Sequence, residues 1–263
     1  MKLATIGSGT IVETFLAACK EVDGIELKAV YSRTLETGLT LADKFGIIVV
    51  FTDLEIFYTN DLFDTVYIAS PNSLHFSQAF KALQAGKNVI IEKPFASTLK
   101  ETDTLIQLAA EKNLFLFEAI SVLYMPNLAL LKEKLPQIFP LTWIESTFFQ
   151  YSRKYDQLKN GNLPNVFNPA FSGGALMNLN IYPIHFIVDL MGKPTDANYT
   201  ANCHENGIDL SGIAVLRYPG VMCTSIAAKD SLGLNNVQIH GSTGTIVLEQ
   251  WINGLKSFYI DPV

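Results

Sequence analysis

Across residues 1–118 short apolar runs alternate with amphipathic stretches, and that alternation constrains the fold more than any other feature of the chain. Leu3 to Ile6, Glu26 to Tyr31, Ile47 to Phe51, Thr65 to Ala69, Asn88 to Ile91 and Leu114 to Phe117 read as strands. Helical patterns run from the glycine turn after Ile6 to about Lys20, then over Leu35 to Phe45, Leu74 to Ala85 and Leu99 to Lys112. Strands that recur with a helix between them belong to βαβ units, whose strands lie parallel. The crossovers are expected to be right-handed. The expectation for this part is a doubly wound α/β sheet.

From about Ser121 the pattern changes. Met125 to Leu135 reads as a helix closed by Pro136, and Ala175 to Leu190 as another, ended by Gly192 and Pro194. Between and after them come alternating, aromatic-rich stretches such as Trp143 to Gln150, Gly212 to Tyr218 and Val221 to Ala227. Period-two alternation marks half-buried, largely antiparallel strands, and Tyr218-Pro219-Gly220 supplies a hairpin turn. The predicted division is therefore 1–118, a doubly wound domain, and 119–263, an α+β domain. With 49% hydrophobic and 17% charged residues the chain has ample core material, which excludes disorder. A net charge of -6 gives no reason to expect nucleic acid as a partner. Cys19, Cys203 and Cys223 have no metal-like spacing, and an odd count fits reduced thiols in a cytoplasm. Neither a signal sequence nor a run of roughly 20 apolar residues is visible, so no membrane association is expected.

The chemistry gathers where strands end, because open α/β sheets bind ligands beyond the carboxyl ends of their strands. Gly7-Ser8-Gly9-Thr10-Ile11-Val12 follows a strand and opens a helix, the context of a dinucleotide fingerprint. Gly7 permits the tight turn, and Gly9 lets a pyrophosphate approach the helix N-terminus. Val12 stands where glycine or alanine is usual and is expected to hold helix and strand slightly apart. After the second strand comes Ser32-Arg33 rather than the acid that binds an NAD ribose. A hydroxyl and a guanidinium suit a 2′-phosphate, which favours NADP, with NAD the alternative. Ala69-Ser70-Pro71-Asn72 closes the fourth strand and is expected to bracket the nicotinamide ribose; His75 either faces the cofactor or caps a helix. Glu92-Lys93-Pro94 follows the fifth strand. A lysine there exchanges a proton with an alcohol if its surroundings lower its pKa, while Glu92 adjusts the charge near the cofactor ribose.

Asn88-Val89-Ile90-Ile91-Glu92-Lys93-Pro94, Ile6-Gly7-Ser8-Gly9 and Ser70-Pro71-Asn72 together resemble the Gfo/Idh/MocA oxidoreductase family. Gly173 to Pro183 looks like that family's second-domain signature, and its Tyr182 is similar to the dimeric dihydrodiol dehydrogenase branch. Glu118-Ala119, Met125-Pro126 and Ile239 to Ile246 extend the resemblance over nearly the whole chain. It implies a Rossmann domain plus a domain with a large, mostly antiparallel sheet that often forms a homodimer or higher homo-oligomer. It also implies hydride transfer between a nicotinamide cofactor and a sugar, polyol or vicinal diol. By the match, Lys93 is the catalytic lysine, Tyr182 a proton donor or acceptor, and Asn178 a substrate-orienting amide. Asn178 and Tyr182 then share one helix face at i, i+4 spacing. Several residues depart from the family pattern: Asn178 replaces a common aspartate, Leu123 a common arginine, and His185 a common acid. Helical spacing offers His185 a partner in Asp189. Family members also usually continue beyond the equivalent of Val263. Two other readings stay open, a dinucleotide-binding sensor without turnover and a nicotinamide-dependent glycosidase of the same family.

Overall fold

β1 (Lys2–Ile6) buries every residue after Lys2, as a central strand covered on both faces must. The structure, a computed structural model, describes residues 1–262 and divides into two compact units, Met1–Ala119 and the chain from Ile120 onward. In the first unit α1 (Thr10–Cys19), β2 (Glu26–Tyr31), α2 (Leu35–Phe45), β3 (Val49–Phe51), α3 (Leu54–Tyr58) and β4 (Thr65–Ile68) follow β1. Then come α4 (His75–Gln84), β5 (Asn88–Glu92), α5 (Leu99–Glu111) and β6 (Leu116–Ala119). All six strands are parallel, in the order β3-β2-β1-β4-β5-β6.

Side-chain alternation along these strands feeds two cores. Leu3, Val30 and Tyr67 face Val12, Leu16 and Cys19 of α1 and Leu41 and Phe45 of α2. Ala4, Ile68, Val89 and Ile91 face Ala79 and Leu83 of α4 and Leu105 of α5 on the opposite side. Each such large apolar side chain contributes about 1.5–3 kcal/mol relative to exposure in water. The third strand is shorter than its apolar run: Ile47 is buried, but Ile48 is 93% exposed and pairing starts at Val49. The last strand is displaced toward Ala119: Lys112 and Asn113 turn the chain after α5, and regular pairing begins only at Leu116.

The second unit contains α6 (Pro126–Lys134), β7 (Leu141–Phe149), α7 (Tyr155–Lys159), α8 (Ile181–Met191), β8 (Asp196–Cys203) and β9 (Asp209–Tyr218). It ends with β10 (Val221–Ala228), β11 (Asn236–Gly241), β12 (Gly244–Leu248) and β13 (Tyr259–Pro262). These strands form one seven-stranded sheet in the order β13-β12-β11-β7-β10-β9-β8, antiparallel except where β10 runs parallel to β7. Tyr218 and Val221 pair across the β9–β10 turn, and Gly220 adopts the left-handed conformation the turn requires (φ 76°). Leu128 and Leu131 of α6 and Phe186 and Ile187 of α8 pack with Ile144, Leu216, Cys223 and Ile239 of the sheet.

The helix expected over Ala175 to Leu190 is not uniform: Leu176–Asn180 is a π-helical turn, and the α-helix begins at Ile181. Pro183 supplies the reason. It lacks an N–H and crowds the carbonyl four residues earlier, so a regular α-helix cannot run through from Leu179. The i, i+4 relation read for Asn178 and Tyr182 assumes an unbroken α-helix and does not carry across this junction.

Candidate active site

Glu92 is the last residue of β5, so Lys93 stands at the carboxyl edge of the parallel sheet. Its backbone enters a turn through a cis peptide to Pro94. Burial pushes the Lys93 ammonium below the usual lysine range, and the carboxylates of Glu92 and Glu118 oppose that shift. Glu92 accepts a hydrogen bond from the Tyr67 hydroxyl at 2.6 Å, with Tyr67 itself stacked on Phe15 at 3.7 Å between ring centres. Burial raises the Glu92 pKa, and the Tyr67 hydroxyl opposes it. Glu118, on the neighbouring β6, accepts from the Phe95 backbone N–H at 3.0 Å. Three adjacent strands thus converge on one lysine. Its half-buried position disfavours the charged form, which eases loss of the proton.

The glycine turn is tight and closely packed. Gly7 has φ 120°, and a Cβ there would lie 2.8 Å from the Ala69 carbonyl oxygen, so the fold itself demands glycine. Val12 is fully buried, its Cγ2 3.4 Å from where that Cβ would stand, so the valine fills the gap between helix and strand. Gly9, Ser8, Thr10 and Ile11 surround the N-terminus of α1. Gly9 faces open space within 4 Å, and no side chain caps the helix. An uncapped N-terminus behind a bare glycine fits a pyrophosphate.

Ser32 is buried, and its hydroxyl bonds Thr37 at 2.6 Å and lies 3.4 Å from Ser8. Thr37 also contacts Thr34 at 2.7 Å, so a chain of hydroxyls lies beside the exposed Arg33. Ala69, Ser70, Pro71 and Asn72 follow β4, and the buried Ser70 hydroxyl has no hydrogen-bond partner among the described residues. That orphaned donor, the open Gly9 and the uncapped helix together fit a dinucleotide cofactor. His75 is 1% exposed, and its ring nitrogens contact the carbonyls of Pro94 (2.8 Å) and Ser70 (2.9 Å). A ring this buried, with both nitrogens engaged, is not a solvated cap.

In the second unit Tyr182 lies half-buried in the first turn of α8, its ring 6.0 Å from that of Phe148. The Asn178 amide N–H donates to the Gly174 carbonyl at 2.9 Å, four residues back and just ahead of the π segment. Asn180 is fully buried; its amide donates to the Ser225 carbonyl at 3.2 Å and accepts from the Ser225 hydroxyl. Asp209 takes the Leu176 N–H and the Tyr199 hydroxyl, each at 2.6 Å, and holds the other end of the turn. His185 contacts the Ile181 carbonyl at 2.8 Å, and Asp189 pairs with Lys132 at 2.6 Å. Residue-by-residue reading missed Tyr67, Glu118, Asn180 and Asp209 as parts of these settings; only Glu118 and Asn180 stood in motifs. Among the described residues no cluster of His, Cys, Asp or Glu is arranged to hold a metal, and no helix is long and apolar enough to cross a membrane.

Two family models match the chain. The oxidoreductase family with an NAD-binding Rossmann fold covers residues 1–119, and the GFO/IDH/MocA C-terminal domain covers residues 140–247. The uncharacterized oxidoreductase YgjR of Escherichia coli (strain K12) is 39% identical over 95% of this chain and 76% of its own length. The scyllo-inositol 2-dehydrogenase (NADP(+)) IolU of Bacillus subtilis (strain 168) is 36% identical over the same shares. Among solved structures, the 3-ketoreductase KijD10 from Actinomadura kijaniata, in complex with NADP and TDP-benzene, superposes with a TM-score of 0.87. That match covers all of this chain and 81% of KijD10 at 22% identity, a likeness of fold.

Proposed function

The chain belongs to the GFO/IDH/MocA family of NAD(P)-dependent oxidoreductases, and on that premise we propose that it is an NADP-dependent dehydrogenase or reductase of a sugar, polyol or vicinal diol. The observation that carries the reading is Lys93, a lysine of lowered basicity at the carboxyl edge of a dinucleotide-binding sheet. Bound NADP supplies the hydride acceptor and NADPH the donor. The N-terminus of α1 and the Gly7–Gly9 turn hold the pyrophosphate, and Arg33, with the hydroxyls beside it, holds the 2′-phosphate. Ser70, Pro71 and Asn72 flank the nicotinamide ribose.

Lys93 takes the hydroxyl proton as the alcohol becomes a carbonyl, and returns it in the reverse direction. In the second unit Tyr182 is the phenolic proton donor or acceptor of this reading, with no proton beyond the one the alcohol exchanges. Asn178 orients substrate through its amide, with one of the two N–H donors engaged by the Gly174 carbonyl. The polyol class is supported by relatives named for scyllo-inositol, D-xylose and trans-1,2-dihydrobenzene-1,2-diol. The open face of the seven-stranded sheet supports a homo-oligomer. The test is an NADP-linked oxidation assay against those three compounds, with NAD in parallel. Turnover of one of them with NADP preferred bears the reading out. Glycoside cleavage without net NADPH change, or binding of neither cofactor, overturns it.

A further inference from the structure

β4 and β5 are parallel neighbours, and each delivers one part of the site just past its end, Ser70 after β4 and Lys93-Pro94 after β5. The ring of His75 bridges those two turns, with Nε2 2.9 Å from the Ser70 carbonyl oxygen and Nδ1 2.8 Å from the Pro94 carbonyl oxygen. A carbonyl oxygen only accepts, so each contact needs an N–H from the ring. Neutral imidazole has one such donor and imidazolium has two. A neutral ring therefore leaves a lone pair facing a carbonyl on one side. The charged groups facing the ring are Lys93, beyond β5, and Glu118, on β6. Burial is the largest influence on His75 and pushes its pKa down; Lys93 acts in the same direction, while both carbonyls and Glu118 push it up.

We propose that His75 is a positioning residue, a clamp that holds the Lys93 turn through Nδ1 and the cofactor-side turn through Nε2. The two attachments have separate consequences because they end on different parts of the site. Losing the Pro94 contact frees the turn that carries Lys93. Losing the Ser70 contact frees the segment that flanks the nicotinamide ribose. The doubly donating form is complete at acid pH. It loses one proton as pH rises through the lowered imidazole pKa, so above that point the clamp grips one side only. The inference rests on the reading of Lys93 as the proton-transfer residue.

Two side chains separate the attachments. An asparagine amide nitrogen falls near the Nδ1 position and a glutamine amide nitrogen near Nε2, so His75→Asn retains the Pro94 link and His75→Gln the Ser70 link. Two readouts need no substrate: NADPH affinity by fluorescence, and the Lys93 titration midpoint by NMR of protein carrying 13C-lysine, assigned with Lys93→Arg. His75→Gln is expected to raise the Lys93 midpoint toward the ordinary lysine value, as water reaches the released turn, and to change NADPH affinity less. His75→Asn is expected to weaken NADPH by about three- to tenfold, with the smaller shift at Lys93. Equal effects of the two variants on both readouts, or no effect on either, overturn the clamp.

If neither variant folds, 15N-histidine spectra of the wild-type protein decide. Two protonated ring nitrogens at the acid end of the folded range support the clamp, and a single one throughout overturns it. Full activity in Lys93→Ala would remove the catalytic premise. An inactive Lys93→Ala beside equal His75 variants would remove the clamp alone.

Discussion

At the scale of single residues, Lys93 and Arg33 carry the most consequential charges. Desolvation holds the Lys93 pKa below the ordinary lysine value of about 10.4, so a neutral amine is available at lower pH than for a surface lysine. In the oxidative direction that amine is the base, and kcat is expected to rise with pH through the lowered pKa. In the reductive direction the ammonium is the acid, and kcat falls over the same range. Lys93→Ala should lower kcat by about 10²–10⁴-fold and remove that limb, with NADPH affinity largely retained. A variant that keeps both its rate and its pH limb takes Lys93 out of the mechanism. Arg33 is exposed beside a hydroxyl chain, so its loss should weaken NADP by about tenfold or more and NAD far less. Parallel titrations check this, and equal losses count against a 2′-phosphate contact. Lys93 and the glycine turn were legible in sequence because they follow apolar runs directly. The contacts of His75, Tyr67 and Glu118 were not, since they exist only once β4, β5 and β6 lie side by side.

At the scale of elements, legibility follows burial. β1, β4 and β5 are covered on both faces and read as nearly continuous apolar runs, while β2 carries Glu26 and Lys28 and is buried only at Ala29 and Val30. β8, with the sequence DANYTANC, is a largely exposed edge strand and has no apolar alternation to betray it. The π turn was hidden for another reason: apolar spacing continues through it, and Pro183 was its one local sign. What holds that turn is long-range, the Asn180–Ser225 pair at one end and Asp209 at the other. Ser225→Ala leaves the buried Asn180 amide oxygen without that hydroxyl donor, which should cost about 1–3 kcal/mol and lower Tm by several degrees. Thermal melts check the cost. Because the turn immediately precedes Tyr182, kcat should fall further than the melting curve accounts for; a stability loss with wild-type kcat would mean that the turn does not orient Tyr182. Gly7→Ala tests the other end of the fold. Its φ of 120° and the Ala69 carbonyl at 2.8 Å leave no room for a methyl, so the variant should lose stability and NADPH binding together. Unchanged binding in a folded variant would refute that account.

At the scale of the whole molecule, the second unit leaves a surface that its own helices do not cover. Ile144, Ser146 and Phe148 of β7, Ala214 and Leu216 of β9, and Cys223 and Ser225 of β10 are buried. The alternate residues Trp143, Glu145 and Thr147, with Ile213, Val215, Met222, Thr224 and Ile226, point to the other face and remain partly exposed. Cross-strand partners there include Ile213 with Ile226, Val215 with Thr224, and Trp143 with Met222, an apolar and hydroxylic band broken by the Glu145–Gln238 hydrogen bond. A flat, mixed face of this kind suits an isologous contact with a second copy, because like meets like across a two-fold axis. Apolar residues would meet near the centre, and Glu145 would find donors in its partner. Thr224 sits in the middle strand of this band, paired with Glu145 on one side and Val215 on the other. Thr224→Arg brings two buried guanidinium groups toward each other if the face is an interface, and leaves a solvated arginine if it is not. Light scattering after gel filtration should therefore give a multiple of the 29.1 kDa chain mass for the wild type and the single-chain mass for the variant. NADPH affinity is expected to survive that change, since the cofactor residues lie in the other unit. A wild-type monomer, or an oligomer that Thr224→Arg leaves intact, would assign this face to solvent.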